Sequence, residues 1–185
     1  VKQILTFGRR EGRGEYAVIK LQHVILEIIE FLRPSLPPTI ELQHDIDPQC
    51  GSVYADASQL YQVIMNLCTN ARQAIGEAHG SIRIVLKELQ GDEKALPGSQ
   101  QRDGQRYLQL QVIDSGCGIE ESNLGKLFDP FYTTKQQEQG TGLGLAVVHG
   151  VVQRHKGEIR VESSPGSGAT FTMYLPVDGR DPSSI

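Results

Sequence analysis

The chain has 185 residues, enough for one domain with a substantial core. Its 18 Lys and Arg against 22 Asp and Glu give a formal charge of -4, which argues against nucleic acid as a partner. No apolar run approaches the roughly 20 residues of a membrane helix, and the three cysteines lack metal spacing, which fits a reduced cytosolic setting. The chain opens on Val1 with no secretory signal, so it is read as a fragment of a longer protein.

Residues 1–10, with Ile4, Leu5 and Phe7 apolar, read as the end of a helix, and Gly12 and Gly14 break it into a linker. Leu21, Val24, Ile25, Ile28, Ile29 and Leu32 recur at helical spacing and stop before Pro34. After Pro37 and Pro38, residues 39–43 alternate as a strand does, and a short strand is expected near Val53. Asp56 then caps a helix, with Gln59 three residues on as in a capping box. Its buried stripe is Leu60, Val63, Ile64, Leu67, Ala71, Ala74 and Ile75, and Asn66 and Asn70 share another face.

Residues 81–89 and 106–113 read as a hairpin whose polar connection, residues 90–105, exceeds the usual length of about 2–5 and is read as a disordered insertion. Residues 142–155 form a further helix ending in Arg154, His155 and Lys156, with Gly157 as its C-cap. Strands at 158–163 and 169–175, joined by the turn Pro165-Gly166-Ser167-Gly168, close the pattern. The fold class is α+β, a two-layer sandwich of helices on one face of a mixed, largely antiparallel sheet.

Two glycine loops hold the chemistry. Asp114-Ser115-Gly116-Cys117-Gly118-Ile119 follows a strand, and Gly140-Thr141-Gly142-Leu143-Gly144-Leu145 precedes a helix. Glycines and a helix N-terminus present backbone N–H groups to phosphates. Leu108, Leu110, Val112 and Asp114 share one side of their strand, so the carboxylate aims at the buried face and needs a donor. Backbone amides could supply it, and so could an adenine amine. Asn66 and Asn70 are either solvated or, in an ATP site, offer a hard oxygen to magnesium. Cys117 is read as an inert small residue. A P-loop and a Gly-x-Gly-x-x-Gly βαβ unit are both missing from the sequence, so the site is of neither of those types.

These motifs, in this order over residues 16–176, resemble the catalytic and ATP-binding domain of sensor histidine kinases. That domain belongs to a superfamily shared with gyrase-type topoisomerases, mismatch-repair ATPases and a heat-shock chaperone (the GHKL or HATPase group, with a Bergerat-type fold). The resemblance implies an N box at Asn66-Leu67-Cys68-Thr69-Asn70-Ala71, with Asn70 the magnesium ligand and Asn66 beside it in the site. It implies that Asp114 binds the adenine amine, that Gly116 and Gly118 shape the pocket, and that Thr170 supports Asp114. Phe128-Asp129-Pro130-Phe131-Tyr132-Thr133-Thr134-Lys135 resembles the F box of the lid, with Lys135 a phosphate contact and catalytic alongside Asn70. Gly140, Thr141, Gly142, Leu143 and Gly144 match the second glycine box, whose amides hold the phosphates.

The implied activity is protein-histidine kinase: transfer of the ATP γ-phosphate to a histidine on a separate dimerisation domain, then onward to a response regulator. None of the five histidines here suits the acceptor role, so that residue is expected upstream. Residues 1–14 are then the end of a dimerisation helix and its linker, 15–177 the catalytic domain, and 178–185 a tail. The parent would be a cytoplasmic or membrane-anchored homodimer, and the fragment a monomer. The lid, residues 120–139, is expected to be mobile without nucleotide and ordered with it, with Phe128 and Phe131 either docking on the dimerisation helices or packing beneath the lid. The alternative is an ATP-hydrolysing or ATP-sensing switch of the same superfamily. Hydrolysing relatives place a glutamate base where this chain has Asn66.

Overall fold

A computed structural model describes residues 15–90, 104–132 and 142–180. The expected helix end and linker at 1–14, most of the insertion, Lys135, Gly140, Thr141 and residues 181–185 lie outside the described residues.

The elements follow the expected order, with β1 and α3 in addition to those expected: β1 (Ala17–Ile19), α1 (Leu21–Leu32), β2 (Ile40–Ile46), β3 (Val53–Ala55), α2 (Ala57–Ile75), β4 (Gly80–Gln90), β5 (Arg106–Asp114), α3 (Glu121–Leu124), α4 (Gly144–Arg154), β6 (Glu158–Ser163) and β7 (Ala169–Pro176). The main sheet runs β2-β4-β5-β7-β6, antiparallel except for the parallel β2–β4 pair. β1 and β3 form a separate two-stranded antiparallel ribbon.

Alternation along the strands decides which face is dry. Ile82, Ile84 and Leu86 of β4 and Leu108, Leu110 and Val112 of β5 are buried beneath the helices, in one cluster with Ile25, Ile28, Leu60, Ile64, Val148 and Val152. Each such side chain contributes about 1.5–3 kcal/mol when fully buried. The opposite face is largely polar, and there Gln111 Nε2 donates to Thr172 Oγ1 at 3.2 Å. This is the two-layer α+β sandwich expected from the sequence.

Asp56 caps α2, accepting the amides of Ser58 at 3.0 Å and Gln59 at 3.4 Å. The reciprocal half of the box differs from expectation. Gln59 Nε2 donates to the other carboxylate oxygen of Asp56 at 2.7 Å, and the Asp56 amide donates instead to His155 Nε2 at 3.1 Å. Burial pushes the Asp56 carboxyl up, but the hydrogen bonds from Ser58 and Gln59 outweigh it and leave the pKa below the ordinary value.

His155 follows α4, and its Nδ1 lies 2.8 Å from the Val151 carbonyl. Since Nε2 accepts an amide proton, Nδ1 must carry the ring proton and donate it to Val151. Tyr16 stacks on the ring with centroids 5.0 Å apart. One imidazole therefore joins the start of α2 to the end of α4, and Arg154 Nη2 adds a bond to Gln59 Oε1 at 3.2 Å. The left-handed residue ending α4 is Lys156 (φ 57), not the expected Gly157. Gly157 is needed for space, because a Cβ there would collide with the Tyr174 carbonyl.

Residues 178–180 are attached to the domain rather than trailing from it. The Asp178 amide donates to the Ser52 carbonyl at 2.7 Å, and the Arg180 guanidinium lies 4.8 Å from the Tyr54 ring centroid.

His155→Ala strips the Asp56 amide of its acceptor and removes the ring between the two helix ends. A buried unpaired amide costs about 1–3 kcal/mol and the lost packing adds to it, so urea unfolding should show a loss of about 2–4 kcal/mol. A change within about 0.5 kcal/mol would mean the two helices are held elsewhere.

Candidate functional site

The site lies at the end of the sheet opposite the His155 latch, where α2 finishes and α4 begins. Asp114 ends β5, directly opposite Ala169 of β7. It is 6% exposed and, as its strand register requires, faces the helices. Its Oδ1 accepts the Gly116 amide at 2.8 Å and the Ala169 amide at 3.3 Å. Oδ2 takes no hydrogen bond from the described residues. Burial pushes the Asp114 pKa up, and the two amide bonds only partly offset it. The backbone amides thus hold one oxygen, and the other is left without a donor among the described residues.

The first glycine loop reaches this place by pressing on α2. The Cys117 amide donates to the Ala74 carbonyl at 3.0 Å, and a Cβ on Gly116 would stand 2.6 Å from that of Ala74. Gly118 (φ 72) lies against the Ser164 carbonyl, and the Gly166 amide donates to the Cys117 carbonyl at 2.7 Å. The loop is therefore held between α2 and the β6–β7 turn. Cys117 is exposed, and its thiol makes only a 3.6 Å contact with the Gly118 carbonyl.

Asn66 and Asn70 occupy different settings. Asn66 Nδ2 donates to the Gly144 carbonyl at 3.4 Å, tying α2 to the first turn of α4. Asn70, one turn on and partly buried, makes no hydrogen bond with the described residues. Leu143 is the N-cap of α4 but offers no side-chain cap. The first helical bond runs from the Val147 amide to the Leu143 carbonyl at 2.9 Å, so the amides of Gly144, Leu145 and Ala146 have no acceptor within the helix. The surroundings of Gly144 are open, and Gly142 (φ 64) is pinned by the Phe131 amide on its carbonyl at 2.9 Å. The Asn70 side-chain amide, the first backbone amides of α4 and a carboxylate with one oxygen held by the backbone therefore lie towards one end of the sandwich. They suit, respectively, a hard cation, phosphates and an amine on a planar base. Among the described residues no cluster of three or more His, Cys, Asp or Glu could hold a metal unaided, so a cation here would lean on ligand oxygens.

Thr170 requires a correction. It pairs with Ile113 and Glu162, one residue out of register with Asp114, so its side chain lies on the opposite face of the sheet. Support for Asp114 from that strand comes from the Ala169 amide instead. A cleft of 320 Å³ lined by Ile113, Asp114, Glu162, Ser164 and Thr170 wraps this turn end of the sheet without reaching α2 or α4.

After α3, Phe128 packs on the core and meets the His149 ring of α4 in a tilted arrangement with centroids 5.3 Å apart, while Phe131, with φ 66, is 75% exposed. Sequence reasoning treated the two rings as a pair, and they have opposite environments. The bonds of His155 to the Asp56 amide and of Ser163 to the Ile119 amide join residues distant in sequence, which no local pattern announces.

Residues 55–179 match the family described as Histidine kinase-, DNA gyrase B-, and HSP90-like ATPase. The signal transduction histidine-protein kinase AtoS of Escherichia coli (strain K12) is 34% identical over 179 residues, covering 96% of this chain and 26% of AtoS. Sensor kinase CckA of Brucella abortus (strain 2308) is 36% identical over 177 residues, covering 95% of this chain and 18% of CckA. The chain thus spans only a minor part of these curated relatives. The catalytic domain of histidine kinase ThkA, in a nucleotide-free form, has a TM-score of 0.71 at 28% identity, covering 88% of this chain and 96% of that one. ThkA in complex with the response regulator protein TrrA shares the fold, with a TM-score of 0.66 at 24% identity over 92% of this chain and 43% of that one. This chain belongs to the histidine kinase-, DNA gyrase B- and HSP90-like ATPase family.

Proposed function

We propose that this chain is the catalytic, ATP-binding domain of a sensor histidine kinase, passing the ATP γ-phosphate to a histidine on a separate dimerisation domain and thence to a response regulator. The observation that carries the reading is Asp114, a buried carboxylate with one oxygen held by backbone amides and the other left for an adenine amine. The likeness over most of the chain to AtoS, CckA and the ThkA catalytic domain supports it. The ThkA complex with TrrA supports a response-regulator receiver domain as the downstream partner. The parent would act as a homodimer in the cytoplasm, with or without a membrane anchor.

Each residue group has a definite task in this reading. Asp114 orients the base, with Gly116 and Gly118 letting the loop lie close against α2 and the β6–β7 turn. The amides at the start of α4, with Gly140, Thr141, Gly142, Leu143 and Gly144, receive the phosphates, and Lys135 adds a cation. Asn70 offers its amide oxygen to a magnesium ion, which when bound neutralises phosphate charge. Asn66 is already engaged with Gly144 and its amide cannot take a proton from water, which favours transfer to an incoming imidazole over hydrolysis. Catalysis then rests on positioning and charge stabilisation, as is general for phosphoryl transfer.

Calorimetry should show binding of magnesium ATP or ADP, while radiolabelled ATP leaves no acid-labile phosphate on the chain itself. Stable label on the isolated chain would contradict the assignment of the acceptor to another domain. Asp114→Asn should lower ATP affinity by about tenfold or more, the worth of a hydrogen bond to a charged group. The raised pKa adds a pH signature. Wild-type affinity should fall on acidification at pH values above the ordinary aspartate range of about 3.9, as Asp114 gains its proton, and the Asn variant should lack that fall. Folding stability has the opposite sign: the protonated form is favoured in the folded state, so the Asp114 contribution is present at low pH and lost as pH rises through the folded pKa. Asn70→Ala should abolish phosphotransfer to a supplied dimerisation domain while sparing magnesium-free nucleotide binding. Normal transfer by that variant would remove Asn70 from the metal site.

A further inference from the structure

Asp114, Ala169 and Ser163 lie directly opposite one another across β5, β7 and β6, forming one row on the helix-facing side of the sheet. Ser163 Oγ donates to the Gly168 carbonyl at 2.6 Å and accepts the Ile119 amide at 2.9 Å. The carbonyl of Gly168 and the amide of Ala169 belong to a single planar peptide group, and that amide is the one bonded to Asp114 Oδ1 at 3.3 Å. A continuous chain of donors thus runs from the Ile119 amide through the Ser163 hydroxyl and the Gly168–Ala169 peptide to the carboxylate. Successive hydrogen bonds in such a chain polarise one another, and the planar peptide makes the orientation of its carbonyl fix that of its amide.

The peptide needs an external hold. Gly168 has φ 72, and a Cβ there would collide with the Asp114 carbonyl. A glycine in a turn has few intrinsic restraints on the plane that follows it. Ser163 supplies one, and Ile119 anchors the serine to the first glycine loop.

We propose that Ser163 is a positioning residue for base recognition: its hydroxyl fixes the Gly168–Ala169 peptide so that Asp114 Oδ1 is held and Oδ2 is presented to the adenine amine. The proposal rests on the reading of Asp114 as the adenine-binding carboxylate. Ser163 acts through Asp114, so its removal should cost only nucleotides that use the amine.

The test compares magnesium ATP with magnesium purine riboside triphosphate, which has hydrogen in place of the 6-amino group, by calorimetry on the intact chain. Wild type should prefer ATP by about tenfold. Ser163→Ala should lose roughly three- to tenfold for ATP and almost nothing for the purine analogue, so the preference collapses. Ser163→Thr, which keeps the hydroxyl, should retain the preference and serves if the alanine variant does not fold. In amide NMR spectra of the nucleotide-free chain, Ser163→Ala should shift the Ala169 signal towards that of a weaker hydrogen bond and leave Gly116 unchanged. A wild-type preference that survives in Ser163→Ala, or one lost in Ser163→Thr, would overturn the proposal. A wild type that fails to distinguish the two nucleotides would overturn the adenine reading of Asp114 itself.

Discussion

A buried carboxylate is tolerable only where the chain supplies donors, and the glycine loop, the β6–β7 turn and the ends of α2 and α4 are arranged around that requirement at Asp114. The register of β5 turns the side chain towards the helices, where desolvation raises its pKa. Two backbone amides offset part of this cost, but both bind the same oxygen. The second oxygen has no donor among the described residues. An amine-bearing ligand recovers what folding leaves unpaired, so specificity for that ligand follows from the penalty of its absence.

The two helices beside this carboxylate differ in restraint along their lengths. At the far end, His155 bonds to both the Asp56 amide and the Val151 carbonyl, and Tyr16 lies flat against it. Nearer the start of α4, Asn66 Nδ2 reaches the Gly144 carbonyl in a longer bond of 3.4 Å. The His155 contacts fix the spacing of the two helices at that far end. Phe128, packed on His149, joins the segment after α3 to α4, whereas exposed Phe131 adjoins Gly142 just before α4.

Much of this was legible in the sequence because it is written in local periods. The stripe Leu60, Val63, Ile64, Leu67 places α2, and the alternation Leu108, Leu110, Val112, Asp114 aims the carboxylate correctly. What local patterns cannot give is the pairing between strands. Thr170 and Ala169 are neighbours in sequence, yet the register puts only Ala169 opposite Asp114. The Asp56 cap was readable from its spacing to Gln59, but the partner of its amide, His155, lies 99 residues away. Gly157 had the composition of a helix C-cap, and packing against Tyr174 gave it a different task while Lys156 took the left-handed turn. The anchoring of residues 178–180 likewise depends on β3, which no pattern in the tail announces.

The central claim is that Asp114 divides its two oxygens between protein and nucleotide. The most direct measurement is a crystal structure of this chain with magnesium and a non-hydrolysable ATP analogue. The account predicts Oδ1 still bonded to the Gly116 and Ala169 amides, Oδ2 on the 6-amino group of adenine, and the phosphates at the first amides of α4. A nucleotide bound elsewhere, or an adenine that displaces Ala169 from Oδ1, would contradict it.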